Sequence, residues 1–173
     1  SGVDAPSATA SNQLNIGNWI KKEEGKNVHI PGHIIQVKEL AYNTVVQAGS
    51  TSYVTLYSLS ITPTSTSSKI LVFASVGGLY MNLGSASNQT NWRISRNGGT
   101  VSGANTHFQT EVGRNETSAG SRAFINMNIM DEPGTTSTVT YGVQVKRHTG
   151  TGTGIQINDT SGTSTIILME VAA

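Results

Sequence analysis

The longest apolar run in the chain is SKILVFASVGGLYM, Ser68–Met81. It falls short of the about 20 apolar residues that span a bilayer. Its β-branched and aromatic content, with the Gly77-Gly78 break, favours a strand over a helix. Successive side chains of a strand point to opposite faces, so Ile70, Val72, Ala74 and Val76 share one face. Leu71 and Phe73 lie on the other, with Ser75 beyond them. An antiparallel sheet normally turns one face to water. A strand apolar on both sides needs two covers: the facing sheet of its own domain and a second layer. The rest of the sequence offers little to build that layer, which points to another subunit. A loop or the N-terminal arm of the same chain is the alternative.

The remaining pattern is organised around this strand. Residues 1–15 read as an extended polar arm. Ile16, Trp19 and Ile20 then stand at i, i+3, i+4, which predicts a short helix near 16–24 with these three on one side. A helix of one or two turns does not hold alone, so the segment must dock on its own trunk or on a neighbouring protein. Pro31-Gly32 closes this arm, 1–31, and a β domain follows over 32–173. Strands are predicted at His33–Ala41, Ser52–Thr62, Ser68–Met81 and around Trp92–Ile94. The Asn97-Gly98 pair signals a tight hairpin with Thr100–His107 as the returning strand, and Glu111–Ser121 reads as a long polar loop. Ala123, Ile125, Met127 and Ile129 alternate with polar residues, as do Val139, Tyr141, Val143 and Val145. A short strand at Ile155–Ile157 and a last one at Ser164–Val171 complete the set. The last strand carries Ile166, Ile167 and Leu168, apolar on both sides, and belongs near the middle of a sheet beside Ser68–Met81. Eight or nine short strands without helical crossovers argue for an all-β, antiparallel sandwich or barrel. A terminal strand at a sheet centre is a Greek-key product, and the jelly roll is its eight-stranded form.

Composition narrows the function classes. The chain has 173 residues, a net charge of +1 and 12% charged residues, about half the usual charged fraction. No basic face is evident, so a nucleic-acid partner is not expected. There is no cysteine, which excludes zinc–thiolate sites. Ser and Thr make up roughly a quarter of the chain and there are 19 Gly, a strand-and-turn composition with neutral polar surfaces. No retained secretory signal and no membrane-inserting run is visible.

Three segments carry a resemblance: SSKILV at Ser67–Val72, DEPGTTSTVTYGVQV at Asp131–Val145 and STIILMEVAA at Ser164–Ala173. They resemble a group of bacteriophage virion proteins described as tail-fibre or structural proteins, and the likeness runs over roughly Gly32–Ala173. It implies a jelly-roll domain of tumour-necrosis-factor-like build, often trimeric. It implies a place on the outer surface of a virion assembled from protein made in the host bacterial cytoplasm. It brings no catalytic residues.

Candidate chemistry is sparse. His29 and His33 are four apart, but Pro31 and Gly32 between them rule out the helix that would aim both at one metal. The three Asp residues, Asp4, Asp131 and Asp159, lie in a tail or in turns, and no nucleophile-elbow or phosphate-loop pattern occurs. Neither an enzyme nor a cofactor is expected. Tyr80, Asn82, Asn88, Gln89 and Asn91, next to Trp92, offer the aromatic-plus-amide mixture of a sugar site on one loop and its flanks. The plainer alternative is that Trp92 is core and the amides are loop surface.

Two functions follow as expectations. One is a non-enzymatic, homotrimeric virion-surface protein, a capsid decoration or short fibre head. It would be held to other virion proteins by Ile16, Trp19 and Ile20 of the arm, with Leu71, Phe73, Ile166 and Leu168 between subunits. The other is the carbohydrate-recognising tip of a tail fibre, contacting a host surface glycan.

Overall fold

Every regular element among the described residues is a β-strand. The computed structural model describes residues 14–16, 20–22, 32–82, 87–101, 108–113, 121–149, 154–159 and 162–173, with side chains for all of these except 14–16, 20–22, 82, 87–89, 108–113, 121–122 and 149. In chain order the strands are β1 (Leu14–Ile16), β2 (Ile20–Lys22), β3 (Ile34–Tyr42), β4 (Val46–Ala48), β5 (Val54–Ile61), β6 (Lys69–Asn82), β7 (Ser87–Arg96), β8 (Gly99–Thr100), β9 (Phe108–Gly113), β10 (Ser121–Asp131), β11 (Val139–Thr149), β12 (Gly154–Ile157) and β13 (Ser164–Val171).

The long apolar run is β6, and both of its edges are paired. β10 runs antiparallel along one edge, from Asp131 opposite Ile70 to Ser121 opposite Met81. β13 takes the other edge over Lys69–Ser75, and β12 takes it over again at Tyr80–Asn82. β3 flanks β13 and β4 flanks β12. The last strand thus sits between the first long strand and β6, as its two-sided apolar pattern predicts. A second antiparallel sheet is ordered β5-β11-β7, with β9 and β8 both on β7.

The two sheets face each other across one core. From β6 it receives Ile70, Val72, Ala74, Val76, Leu79 and Met81; from the second sheet Ile61, Trp92, Ile94, Tyr141, Val143 and Val145. A bulge between Val143 and Gln144 shifts the β11–β5 register, so consecutive Leu56 and Tyr57 are both buried. Tyr57 also crosses between sheets, donating its hydroxyl to the Ser75 carbonyl at 2.9 Å.

Gly77 and Gly78 stand where β6 hands over from β13 to β12, and the backbone of Asn158, Asp159, Gly162 and Thr163 lies directly against them. A Cβ on Gly77 would lie 2.2 Å from the Thr163 carbonyl oxygen. Gly78 has φ +53°, and its Cβ would lie 2.7 Å from the Asp159 carbonyl oxygen. Hydrogen bonds hold the crossing: Asn158 N donates to the Gly77 carbonyl at 2.9 Å and Gly77 N to Ser164 Oγ at 3.1 Å. Ser164 Oγ in turn donates to Asn158 Oδ1 at 2.7 Å, and Asn158 Nδ2 to the Thr44 carbonyl at 2.8 Å.

Two buried carboxylates close the opposite end of the sandwich. Asp131 accepts from Arg96 Nη1 at 2.9 and 3.1 Å and from the Tyr141 hydroxyl at 2.6 Å, joining β10 to β7 and β11. Burial, followed by the bond to Asp131 and its charge, holds the Tyr141 phenol far above its ordinary range. Glu170 accepts from Gln36 Nε2 at 2.6 Å and from the amide and hydroxyl of Thr64, both at 2.7 Å. Burial raises the Glu170 pKa, but the bonds from Gln36 and Thr64 outweigh it and hold the carboxyl below its usual value.

The structure corrects two sequence expectations here. Ile16 and Ile20 are register partners of the paired strands β1 and β2 rather than members of a helix; β-branched residues favour extended backbone, and so short a helix has little to sustain it. Trp19 and the rest of the arm lie outside the described residues, as do residues 102–107. The Asn97-Gly98 hairpin forms, with both residues at positive φ, and among the described residues its returning strand is Gly99–Thr100. β7 also pairs with Phe108–Gly113, so Glu111–Gly113, expected as loop, is strand.

Two predictions follow. Gly78→Ala combines left-handed strain with a clash against backbone, whereas Gly134 has φ +65° with nothing near its Cβ. Gly134→Ala is expected to cost about 1–2 kcal/mol and Gly78→Ala at least about 3 kcal/mol, read from urea unfolding midpoints. For Glu170, the unfolded state binds its proton at higher pH than the folded state does. Its contribution is therefore complete above the ordinary carboxyl range of about pH 4–5 and is lost as pH falls through the lower folded value. Stability should fall between pH 6 and pH 3 by about 1 kcal/mol more in the parent than in Glu170→Gln.

Candidate functional site

The outward side chains of the β6 sheet form rows set by the strand register. Val37, Met169, Leu71 and Met130 are directly opposite one another across β3, β13, β6 and β10. The next row is Glu39, Ile167, Phe73 and Asn128, and the one after it Ala41, Thr165, Ser75 and Asn126. At about 4.8 Å between strands, the apolar row is about 14 Å wide. Within it Val37 is 53% and Met130 52% exposed, and in the next row Phe73 is 41% exposed; Phe124, 83% exposed, stands further along β10, beyond Asn128 and Asn126. Leu71, Ile167 and Met169 are half-buried. Among the described residues nothing covers this face. Val37, Phe73 and Met130, with the half-buried Leu71, Ile167 and Met169 between them, make this a contiguous exposed apolar patch. Glu39, Asn126 and Asn128 border it, giving an apolar centre with a polar margin.

This arrangement sorts the residues expected between subunits. Leu71 and Phe73 do lie on the outer face. Ile166 and Leu168 do not: both are fully buried in the core of their own chain. In a strand with apolar residues on both faces, composition does not say which parity points in. The register does, and it assigns the outer positions of β13 to Ile167 and Met169. Val37 escaped sequence reading because it stands between Gln36 and Lys38, and Phe124 and Met130 because they adjoin the inward residues Ile125 and Ile129, whose alternation takes the eye. The signal lies in the pairing of distant strands.

Of the residues expected to contact sugar, Tyr80 and Asn91 do not converge. Tyr80 alternates with buried Leu79 and Met81 and so belongs to the outer face of the β6 sheet. Asn91 alternates with buried Thr90 and Trp92 and belongs to the opposite side of the sandwich, on β7. The side chains of Asn82, Asn88 and Gln89 lie outside the described residues. Trp92 is core: it is fully buried, and its Nε1 donates to Thr90 Oγ1 at 2.8 Å. It offers no platform to a ligand.

The outer face of the second sheet has a different chemistry. Ser60 and Thr140, and Thr62 and Thr138, are joined by hydroxyl–hydroxyl bonds of 2.8 Å. Further along, the Arg93 guanidinium lies 3.8 Å from the centre of the Tyr53 ring, with Lys146 Nζ 5.0 Å from the same centre. Burial raises the Tyr53 phenol pKa, and the Arg93 charge pulls it partly back. Among the described residues no cluster of three or more His, Cys, Asp or Glu forms that could hold a metal ion. No protein-family model and no curated protein matches the chain. The two contrasting faces of the sandwich are what functional argument has to work with.

Proposed function

We propose that the chain is a non-enzymatic structural protein of a bacteriophage virion, a homotrimer of jelly-roll heads carried on the N-terminal arm. The single observation behind the assembly is the apolar face around Leu71, Phe73, Met130 and Met169, which no described residue covers. It is flat, apolar at the centre and polar at the margin, which suits a second copy of the same surface or its neighbour around an axis.

The jelly-roll reading is supported by strand order. Take the eight long strands β3, β5, β6, β7, β9, β10, β11 and β13 as first to eighth. The first then pairs with the eighth, the second with the seventh, the third with the sixth and the fourth with the fifth. That is the pattern left when one long antiparallel ribbon rolls up on itself, with β13–β6 and β11–β7 closing the two sheets. The phage assignment rests on resemblance in Ser67–Val72, Asp131–Val145 and Ser164–Ala173. These segments supply the start of β6, the turn into β11, and β13, and Asp131 and Glu170 both pair with Ile70. The likeness thus covers one physically connected end of the domain.

Two experiments test this reading. Phe73→Asp is expected to leave the protomer folded, since the site is already 41% exposed. It should abolish self-association by placing charge in a desolvated contact. Light scattering at micromolar concentration should give a trimer mass for the parent and a monomer mass for the variant; a parent monomer, or a trimeric variant, refutes the contact. Deletion of residues 1–30 should leave the trimer intact and stop its incorporation into particles. If the truncated head instead blocks adsorption to host cells, the domain is a receptor-binding tip and not a decoration.

A further inference from the structure

The face opposite the apolar one carries two cations and no carboxylate among its described side chains. Among the described residues, Arg93 is held in place by neutral groups. Its guanidinium stacks on Tyr53 at 3.8 Å, its Nε donates to Gln144 Oε1 at 2.7 Å, and its Nη1 donates to Thr100 Oγ1 at 3.0 Å. Gln144 is itself fixed, donating Nε2 to Thr55 Oγ1 at 2.9 Å. Lys146 Nζ approaches the same ring to 5.0 Å from its centre. The two salt bridges formed among the described residues are Lys69–Glu132 and Arg96–Asp131, both elsewhere. Sheets usually set opposite charges beside each other; here two like charges share one aromatic ring. On β9, Glu111 is opposite Gln89, two positions along β7 from Asn91.

The hydroxyls around this pair are oriented by the same bonds. Thr55 Oγ1 and Thr100 Oγ1 each accept a hydrogen bond from within the cluster, which leaves each hydroxyl proton to donate outward. Both threonines are exposed. The face therefore presents a preset guanidinium, an ammonium and hydroxyl donors, all seeking acceptors.

We propose that this face, centred on Tyr53, Arg93 and Lys146, binds an acidic saccharide, with its anionic group between the two cations and its hydroxyls and ring oxygens on the Thr55 and Thr100 side. A nucleic acid fits less well, because such partners engage on the order of 6–10 phosphates and this face has two cations. A protein partner fits less well too, since no large apolar side chain is exposed on this face among the described residues, and a protein interface needs an apolar centre. The inference goes beyond the structural reading and does not depend on it: Arg93 and Phe73 lie on opposite sheets.

The test is calorimetric titration of the full chain with oligogalacturonate, dextran sulfate, neutral dextran and a single-stranded oligonucleotide. Binding to oligogalacturonate or to dextran sulfate supports the proposal, and the tighter of the two identifies the group as carboxylate or sulfate. Lys146→Gln and Arg93→Gln should each weaken that binding tenfold or more, while Lys38→Gln, on the other sheet, leaves it unchanged. Lys146 makes none of the hydrogen bonds that hold the cluster, so its variant stays informative if Arg93→Gln fails to fold. The proposal is overturned if no anionic saccharide binds, if neutral dextran binds equally well, if the oligonucleotide binds more tightly, or if Lys146→Gln binds like the parent.

Discussion

The architecture depends on β6 being able to use both edges and both faces. Its edges are taken by β10 on one side and by β13 and then β12 on the other. That succession is possible only because the strand loses its side chains at Gly77-Gly78, where another stretch of backbone must cross in contact with it. The inner residues Ile70, Val72 and Val76 are completely removed from water. Each such side chain contributes about 1.5–3 kcal/mol, so the strand is the main apolar contributor to the core as well as its geometric centre. The glycine pair and the apolar run act together, one permitting the crossing and the other making the sheet around it worth forming.

This division explains what could be read in the sequence. β6, β10, β11 and β13 were legible because period-two alternation is a local signal and their inward residues are consistently apolar. Ile125, Met127 and Ile129 face in, and so do Val139, Tyr141, Val143 and Val145. The position of β13 was legible from its two-sided apolar character. Its parity was not, since Ile166 and Ile167 are chemically identical and only pairing with Ala74 and Phe73 distinguishes them. Phe108–Gly113 was hard to read for a related reason: its strand pairing with β7 is a long-range fact, and its residues, FQTEVG, show little alternation. The spacing of Ile16, Trp19 and Ile20 fits a helix face but is outweighed by the β preference of the isoleucines. The sugar site was inferred from nearness in sequence, and a strand disperses such neighbours: Tyr80 and Asn91 are eleven positions apart and on opposite sheets.

The two outer faces are complementary in what they ask of the surroundings. The β6 sheet is apolar where a sheet should meet water, so its cost falls when another apolar surface covers it. The second sheet is lined by hydroxyls, amides and two cations, which are well solvated and lose little by staying exposed. If copies meet on the first face, the second is turned away from the contact and stays available. A molecule with one greasy face and one hydroxylated face thus separates self-association from any recognition of polar ligands.

The buried carboxylates show where the molecule is rigid. Taking Asp131 and Glu170 out of water costs several kcal/mol each unless their oxygens are satisfied. Here they are: Arg96 and Tyr141 satisfy one, Gln36 and Thr64 the other. Both residues pair with Ile70, so they brace the same end of β6 from its two sides. Next to that end Gly32 N donates to the Ala172 carbonyl at 2.8 Å, and Ala172 N to the His33 carbonyl at 2.9 Å, fixing the point where the arm joins the domain. A pull applied through the arm would therefore enter β3 and pass at once to β13 and β6, the most heavily bonded strands. Antiparallel ladders loaded along the strands resist as a set of bonds in shear. Load entering β3 would thus arrive at the end of the sandwich where the Asp131 and Glu170 carboxyl groups are held by hydrogen bonds from neighbouring strands.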